Sequence, residues 1–80
     1  MEIEVPRLLA EVMSLEKTFG ANVRRWRKAR GLSQEELADR AKLHPTYVSG
    51  IETGHRNPTV KIIARLAEAL EVEPAILFAG

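Results

Sequence analysis

The stretch Ser33-Gln34-Glu35-Glu36-Leu37-Ala38-Asp39-Arg40-Ala41-Lys42-Leu43-His44-Pro45-Thr46-Tyr47-Val48-Ser49-Gly50-Ile51-Glu52-Thr53 decides the fold. Ser33 and Glu36 form a Ser-x-x-Glu capping box, which opens a helix by satisfying backbone donors at its start. Leu37, Ala38 and Ala41 share the inner face of that helix. It should stop near Ala41, because Pro45 suits the first position of a new helix. The second helix would run to about Thr53, with Val48 and Ile51 inward and Gly54 ending it. What remains between the two is a connection of three or four residues around Leu43. Any helical hairpin needs a similar apolar spacing, so the pattern alone defines a tight helical corner.

Outward from this corner the helices continue. His55-Arg56-Asn57-Pro58 reads as a loop, and Thr59 caps a helix whose Ile62, Ile63, Leu66, Ala67 and Leu70 make the strongest apolar stripe in the chain. A last short helix would start at Pro74 and carry Ile76, Leu77 and Phe78. On the N-terminal side, Thr18 is expected to cap a helix ending near Arg30, where Gly31 supplies a left-handed stop. Phe19, Val23 and Trp26 share one face of it, while Arg24, Arg25, Lys28 and Arg30 crowd the remainder. Before it, Arg7 to about Lys17 forms an amphipathic helix through Leu8, Val12 and Leu15, with Leu9 and Met13 beside them. No strand-like alternation is sustained, and the class is all-α.

Composition limits what such a chain can be. Eighty residues, 45% apolar and 29% charged, suit one small domain with one core. Without cysteine there is neither a disulfide scaffold nor a thiolate metal site, and His44 and His55 are too few for a structural zinc. No apolar run approaches the roughly 20 residues of a membrane span. The acidic start Met1-Glu2-Ile3-Glu4 lacks the features of a signal peptide, which points to the cytoplasm.

The net charge of +1 hides an uneven distribution: Lys17 to Arg65 holds eleven Lys/Arg against four Asp/Glu, a balance of +7, between two acidic ends of −3 each. A basic middle suggests a face that meets a polyanion, or else a solvated helix surface with accidental clustering. A turn of three or four residues is also the connection length of a DNA-binding helix-turn-helix.

Two longer strings sharpen this reading. Phe19-Gly20-Ala21-Asn22-Val23-Arg24-Arg25-Trp26-Arg27-Lys28-Ala29-Arg30-Gly31-Leu32-Ser33-Gln34-Glu35-Glu36-Leu37-Ala38 resembles the opening of the lambda-repressor-like, or Cro/XRE-type, helix-turn-helix family. Tyr47-Val48-Ser49-Gly50-Ile51-Glu52-Thr53-Gly54-His55-Arg56-Asn57-Pro58-Thr59 continues it in register, and its first part is also similar to the controller proteins of restriction–modification systems. Similar strings occur in phage and plasmid repressors and in antitoxins. The resemblance covers roughly residues 18–78. It implies a compact five-helix DNA-binding domain over 18–80, preceded by an additional N-terminal helix over 1–17 that has no counterpart in the minimal family pattern. The motif would span about 34–53, with the recognition helix, about 44–53, in the major groove. Two positions depart from the family or from helical preference. Lys42 stands where the turn commonly has glycine, and a non-glycine residue in a left-handed turn costs roughly 1–2 kcal/mol. Gly50 lies inside the recognition helix, where a side chain is expected to collide with DNA or a neighbouring helix.

The resemblance also implies roles. Phosphate contacts are expected from Gln34 at a helix start, from the loop His55, Arg56 and Asn57, from Thr59 and from Arg24. Base reading is expected from the exposed start of the recognition helix: His44, Pro45, Thr46, Tyr47 and Ser49. The alternative for Tyr47 is a buried core tyrosine, and for the loop, ordinary turn chemistry. In the family an arginine at position 27 pairs with a glutamate at position 52 to hold the recognition helix, and the residue at position 34 buttresses it. Arg25, Lys28 and Arg30 read as solvated charges, and Trp26 as core.

Since one recognition helix reads few base pairs, a homodimer on two half-sites of double-stranded DNA is expected. Val72, Ile76 and Phe78 are candidates for the two-fold contact, with the N-terminal helix as the rival. No cofactor, metal, membrane or small-molecule ligand is expected, and no constellation of nucleophile, base and orienter suggests an enzyme. The functional expectation is a DNA-binding transcription regulator. The competing class is a protein-interaction module, such as an antitoxin or adaptor.

Overall fold

The computed structural model describes the backbone of residues 5–80 and the side chains from Ser14 onward. Its elements are α1 (Val5–Ala29), α2 (Gln34–Ala41), α3 (Pro45–Glu52), α4 (Val60–Leu70) and a C-terminal 3-10 helix (Pro74–Phe78). Among the described residues there is no strand.

Three of the helix starts are built by the side chains that local chemistry demands. The Ser33 hydroxyl accepts the Glu36 N–H at 3.0 Å, and Glu36 Oε1 accepts the Ser33 N–H at 2.9 Å, which completes the capping box of α2. Thr59 caps α4 by accepting the Ile62 N–H at 3.2 Å. His44 caps α3 through Nδ1, which accepts the Thr46 N–H at 3.1 Å, with Pro45 following as the first helical residue.

The helix ends follow a second rule. Lys42 closes α2 in the left-handed conformation (φ 58°, ψ 48°), and Glu71 closes α4 the same way (φ 58°). The Leu43 N–H then reaches back to the Ala38 carbonyl at 2.8 Å. This return fixes the three-residue turn Lys42-Leu43-His44 between α2 and α3.

One sequence expectation fails at the N-terminal side. Thr18 caps nothing: α1 passes through it without a break, so the separate helices at 7–17 and 18–30 are one element of 25 residues. Threonine and glycine are each mediocre helix residues, but their propensity cost of about 1 kcal/mol or less is outweighed by tertiary contact. Phe19 is buried, and at Gly20 the helix touches the end of α3. A Cβ built on Gly20 would overlap the Ile51 carbonyl oxygen. The expected apolar face Leu8, Leu9, Val12 and Met13 lies outside the described side chains, and Leu15 is exposed.

Phe19 and Val23 of α1, Leu37, Ala38 and Ala41 of α2, Val48 and Ile51 of α3, and Leu66, Ala67 and Leu70 of α4 form a single buried cluster with Leu32 and Leu77. Trp26, Leu43, Tyr47, Ile62, Ile63 and Val72 pack around its margin. Two polar side chains brace the cluster, one on α1 and one just past its end. Buried Asn22 donates to the carbonyls of Leu77 (3.0 Å) and Ala79 (2.7 Å), tying the C-terminal segment down. Arg30 is not merely solvated: it crosses the Trp26 ring and its Nε donates to the Leu70 carbonyl at 2.8 Å, satisfying an end group of α4.

Candidate nucleic-acid interface

With Val48 and Ile51 committed to the core, the other side of α3 is left to present Thr46, Ser49, Gly50 and Thr53. Thr46 is exposed, and Pro45 and Ser49 are half-buried. His44 is exposed, and with its Nδ1 engaged as the cap, Nε2 is the ring nitrogen left for another partner. Tyr47 is half-buried, with part of its ring against the core margin and the Arg56 guanidinium 5.7 Å from the ring centroid. It is not the enclosed core tyrosine that was the alternative to a base-reading one.

The end of α3 is held from two sides. Arg27 donates from Nε to Glu52 Oε2 at 2.7 Å and from Nη2 to Glu52 Oε1 at 2.9 Å, a forked pair. Its third donor, Nη1, meets the Leu32 carbonyl at 2.8 Å. The Glu52 side chain is only 2% exposed and Arg27's 11%, so water competes little for either. The hydrogen bond to Glu52 raises the Arg27 pKa above its ordinary value, with the attraction of the carboxylate adding to it and burial opposing it. Gln34 Nε2 donates to Glu52 Oε1 at 3.1 Å. One amide hydrogen of Gln34 and the backbone N–H groups of Gln34 and Glu35 stay free for a ligand oxygen, the Glu36 N–H being taken by the Ser33 cap.

The loop after α3 folds back on that helix. The Gly50 carbonyl accepts the His55 N–H at 2.8 Å and the Arg56 N–H at 3.2 Å. The Thr53 hydroxyl lies 3.1 Å from the Ser49 carbonyl and 2.9 Å from His55 Nδ1. His55, Arg56, Asn57 and Thr59 are exposed, as is Arg24 on α1. At Gly50 a side chain meets an obstruction within the protein itself. The three atoms nearest a Cβ built there belong not to a neighbouring helix but to the Arg56 side chain, with Cγ at 2.5 Å.

Of the candidates for a contact between copies, Val72 packs half-buried at the core margin, while Ile76 and Phe78 are large apolar side chains left partly open. The Phe78 ring stacks on Phe19 with centroids 5.0 Å apart. Sequence reasoning missed Asn22, although a polar residue between Phe19, Val23 and Trp26 on one apolar face was a visible signal. It also missed the return of Arg30 to α4, for which nothing local speaks.

Two short helices fixed at a three-residue turn, the second exposing one face while its end is clamped by charge, define a helix-turn-helix module. The chain belongs to the helix-turn-helix family, whose family model matches residues 23–77. It is 43% identical over 60 residues to an uncharacterized HTH-type transcriptional regulator, y4dJ, of Sinorhizobium fredii, covering 75% of this chain and 78% of that protein. To the control protein C.BamHI of Bacillus amyloliquefaciens it is 44% identical over 57 residues, 70% of either chain. The crystal structure of the restriction-modification controller protein C.AhdI from Aeromonas hydrophila superposes with a TM-score of 0.77 at 46% identity, over 79% of this chain and 96% of that one. The homologues are DNA-binding regulators of the Cro/XRE type, and among the described residues no helix is long and apolar enough to cross a membrane.

Proposed function

We propose that this chain is a homodimeric, sequence-specific transcription regulator of the controller type, which lays α3 in the major groove of each half of a palindromic operator. The observation that carries the reading is the orientation of α3. Its inner residues are sealed in the core and its end is locked by Arg27, Gln34 and Glu52, so the Thr46 side stands outward in a fixed direction. Preorganised placement of base-reading groups lowers the ordering cost of binding.

In this reading Thr46 supplies a hydroxyl and a methyl to base edges, and His44 and Tyr47 supply hydrogen-bonding groups, with Pro45 and Ser49 completing the contact surface. Gln34 and Thr59 at helix starts, with Arg24, His55, Arg56 and Asn57, grip the flanking phosphates. Residues 18–80 form the DNA-binding domain and 1–17 an extension of it. Ile76 and Phe78, beside Val72, meet their copies across the two-fold axis.

The test is a salt titration of binding to duplex DNA. Five or so phosphate contacts per dimer give a log–log slope near −4 to −5. Absent or salt-independent DNA binding would favour a module whose main partner is a protein.

A further inference from the structure

Glycine in the middle of a short helix is costly, and Gly50 sits in the sixth position of an eight-residue helix. Its backbone lies within an ordinary helix: its φ is not among the positive values, which fall at Lys42, Glu71, Gly31 and Gly54. Conformational freedom therefore does not explain it, and space does. The nearest atoms to a Cβ built there all belong to Arg56: Cγ at 2.5 Å, Nε at 3.3 Å and Cδ at 3.4 Å.

The Cγ contact is close to the root of the side chain, so Arg56 cannot avoid a methyl group by moving its tip alone. Its stem crosses the bare backbone of α3 at Gly50, and its guanidinium then lies 5.7 Å from the Tyr47 ring centroid. The Arg56 and His55 N–H groups bond the Gly50 carbonyl, so the same residue receives both the loop backbone and the arginine stem.

We propose that Gly50 is a positioning residue for DNA recognition, its missing side chain forming the seat that holds Arg56 across Tyr47 before DNA arrives. This rests on the DNA-binding reading above. Arg56 is exposed, so displacing it removes little from the core. What is lost is the ordering of a long, flexible cation that would otherwise sample many rotamers on the surface. Ordering such a side chain at the moment of binding weakens affinity by about three- to tenfold.

Two measurements on the full chain separate this from its alternatives. In the protein without DNA, the Arg56 side-chain protons should carry a ring-current shift from Tyr47 in the NMR spectrum, and Gly50→Ala should abolish it. Unchanged Arg56 shifts in that variant would overturn the seat whether or not the protein binds DNA. The second measurement is a double-mutant cycle on a duplex selected by the wild-type protein from a random-sequence pool. Gly50→Ala should weaken binding about three- to tenfold with its melting temperature unchanged or raised, since alanine is the better helix residue. In the Arg56→Ala background, which leaves no stem to displace, Gly50→Ala should have no effect on affinity. An equal loss in both backgrounds would mean that the methyl group meets DNA directly and would overturn the proposal, as would no loss in either. If the wild-type protein selects no duplex at all, the DNA-binding reading fails, and the NMR result alone then judges the seat.

Discussion

Arg27 and Glu52, 25 residues apart in sequence, meet in a forked pair at 2.7 and 2.9 Å that ties α1 to the last turn of α3. The charge on either partner is tolerable inside the protein only because the other is there. Gln34 adds a third arm to the same carboxylate. The direction in which α3 points thus depends on a polar joint at its end as well as on Val48 and Ile51 beneath it.

Removing one side of that joint strands the other charge. Glu52→Ala should destabilise the fold by about 3 kcal/mol, lowering the melting midpoint by more than about 10 °C at this chain length. Gln34→Ala should cost only about 1 kcal/mol, the usual net worth of one hydrogen bond. Thermal denaturation followed by circular dichroism measures both, and equal melting of Glu52→Ala and the parent would contradict the joint's role.

Gly20 should resist the substitution that usually favours a helix. Alanine there gains helix propensity of about 1 kcal/mol, yet its Cβ would overlap the Ile51 carbonyl, a backbone atom that cannot turn aside. Overpacking of this kind costs about 1–3 kcal/mol, so urea denaturation of Gly20→Ala should show a net loss of stability.

Lys42 should behave in the opposite way. It holds a left-handed conformation at φ 58° that costs a non-glycine residue about 1–2 kcal/mol. Lys42→Gly removes that strain, and the extra freedom of glycine in the unfolded chain offsets part of the gain. A rise in stability of about 0.5–1 kcal/mol is expected, measured by denaturant titration.

The capping box gives α2 a pH dependence. The Ser33 N–H, and then the Ser33 hydroxyl, hold the Glu36 carboxyl below its ordinary pKa, with Arg40 contributing and slight desolvation opposing. A lowered folded-state pKa means that the stabilisation is fully present above the unfolded value. It is lost as pH falls through the folded one. Thermal melts through the acid range should show Glu36→Gln, which still reaches the Ser33 N–H but does not titrate, losing less stability on acidification than the parent, so that the gap between them narrows toward the acid end.

The parts of this structure that were legible beforehand are those that chemistry determines locally. The Ser33–Glu36 box, the Thr59 cap, Pro45 at a helix start and the inward pairing of Val48 with Ile51 each follow from neighbouring residues. Thr18 misled because its capping chemistry is genuine, and only the packing of Phe19 and Gly20 overrides it. The Arg27–Glu52 joint followed from family resemblance, since no spacing rule links residues so far apart. Asn22 and Arg30 act on carbonyls of residues 77, 79 and 70, partners that exist only once the chain has folded. Gly50 stood out in sequence as a place where a side chain would collide, but its neighbour, Arg56, emerges only from the folded loop.

If the outward face of α3 reads DNA, selection of duplexes from a random-sequence pool should return a defined site. The wild-type protein should enrich a two-fold symmetric sequence with half-sites about one helical turn apart. Thr46→Ala should change the preferred bases while moving the melting temperature by no more than about 2–4 °C, since surface substitutions at such sites move stability by only about 0.5 kcal/mol or less. No enriched sequence, or an identical one from a variant with both Thr46 and Tyr47 replaced by alanine, would contradict this role of α3.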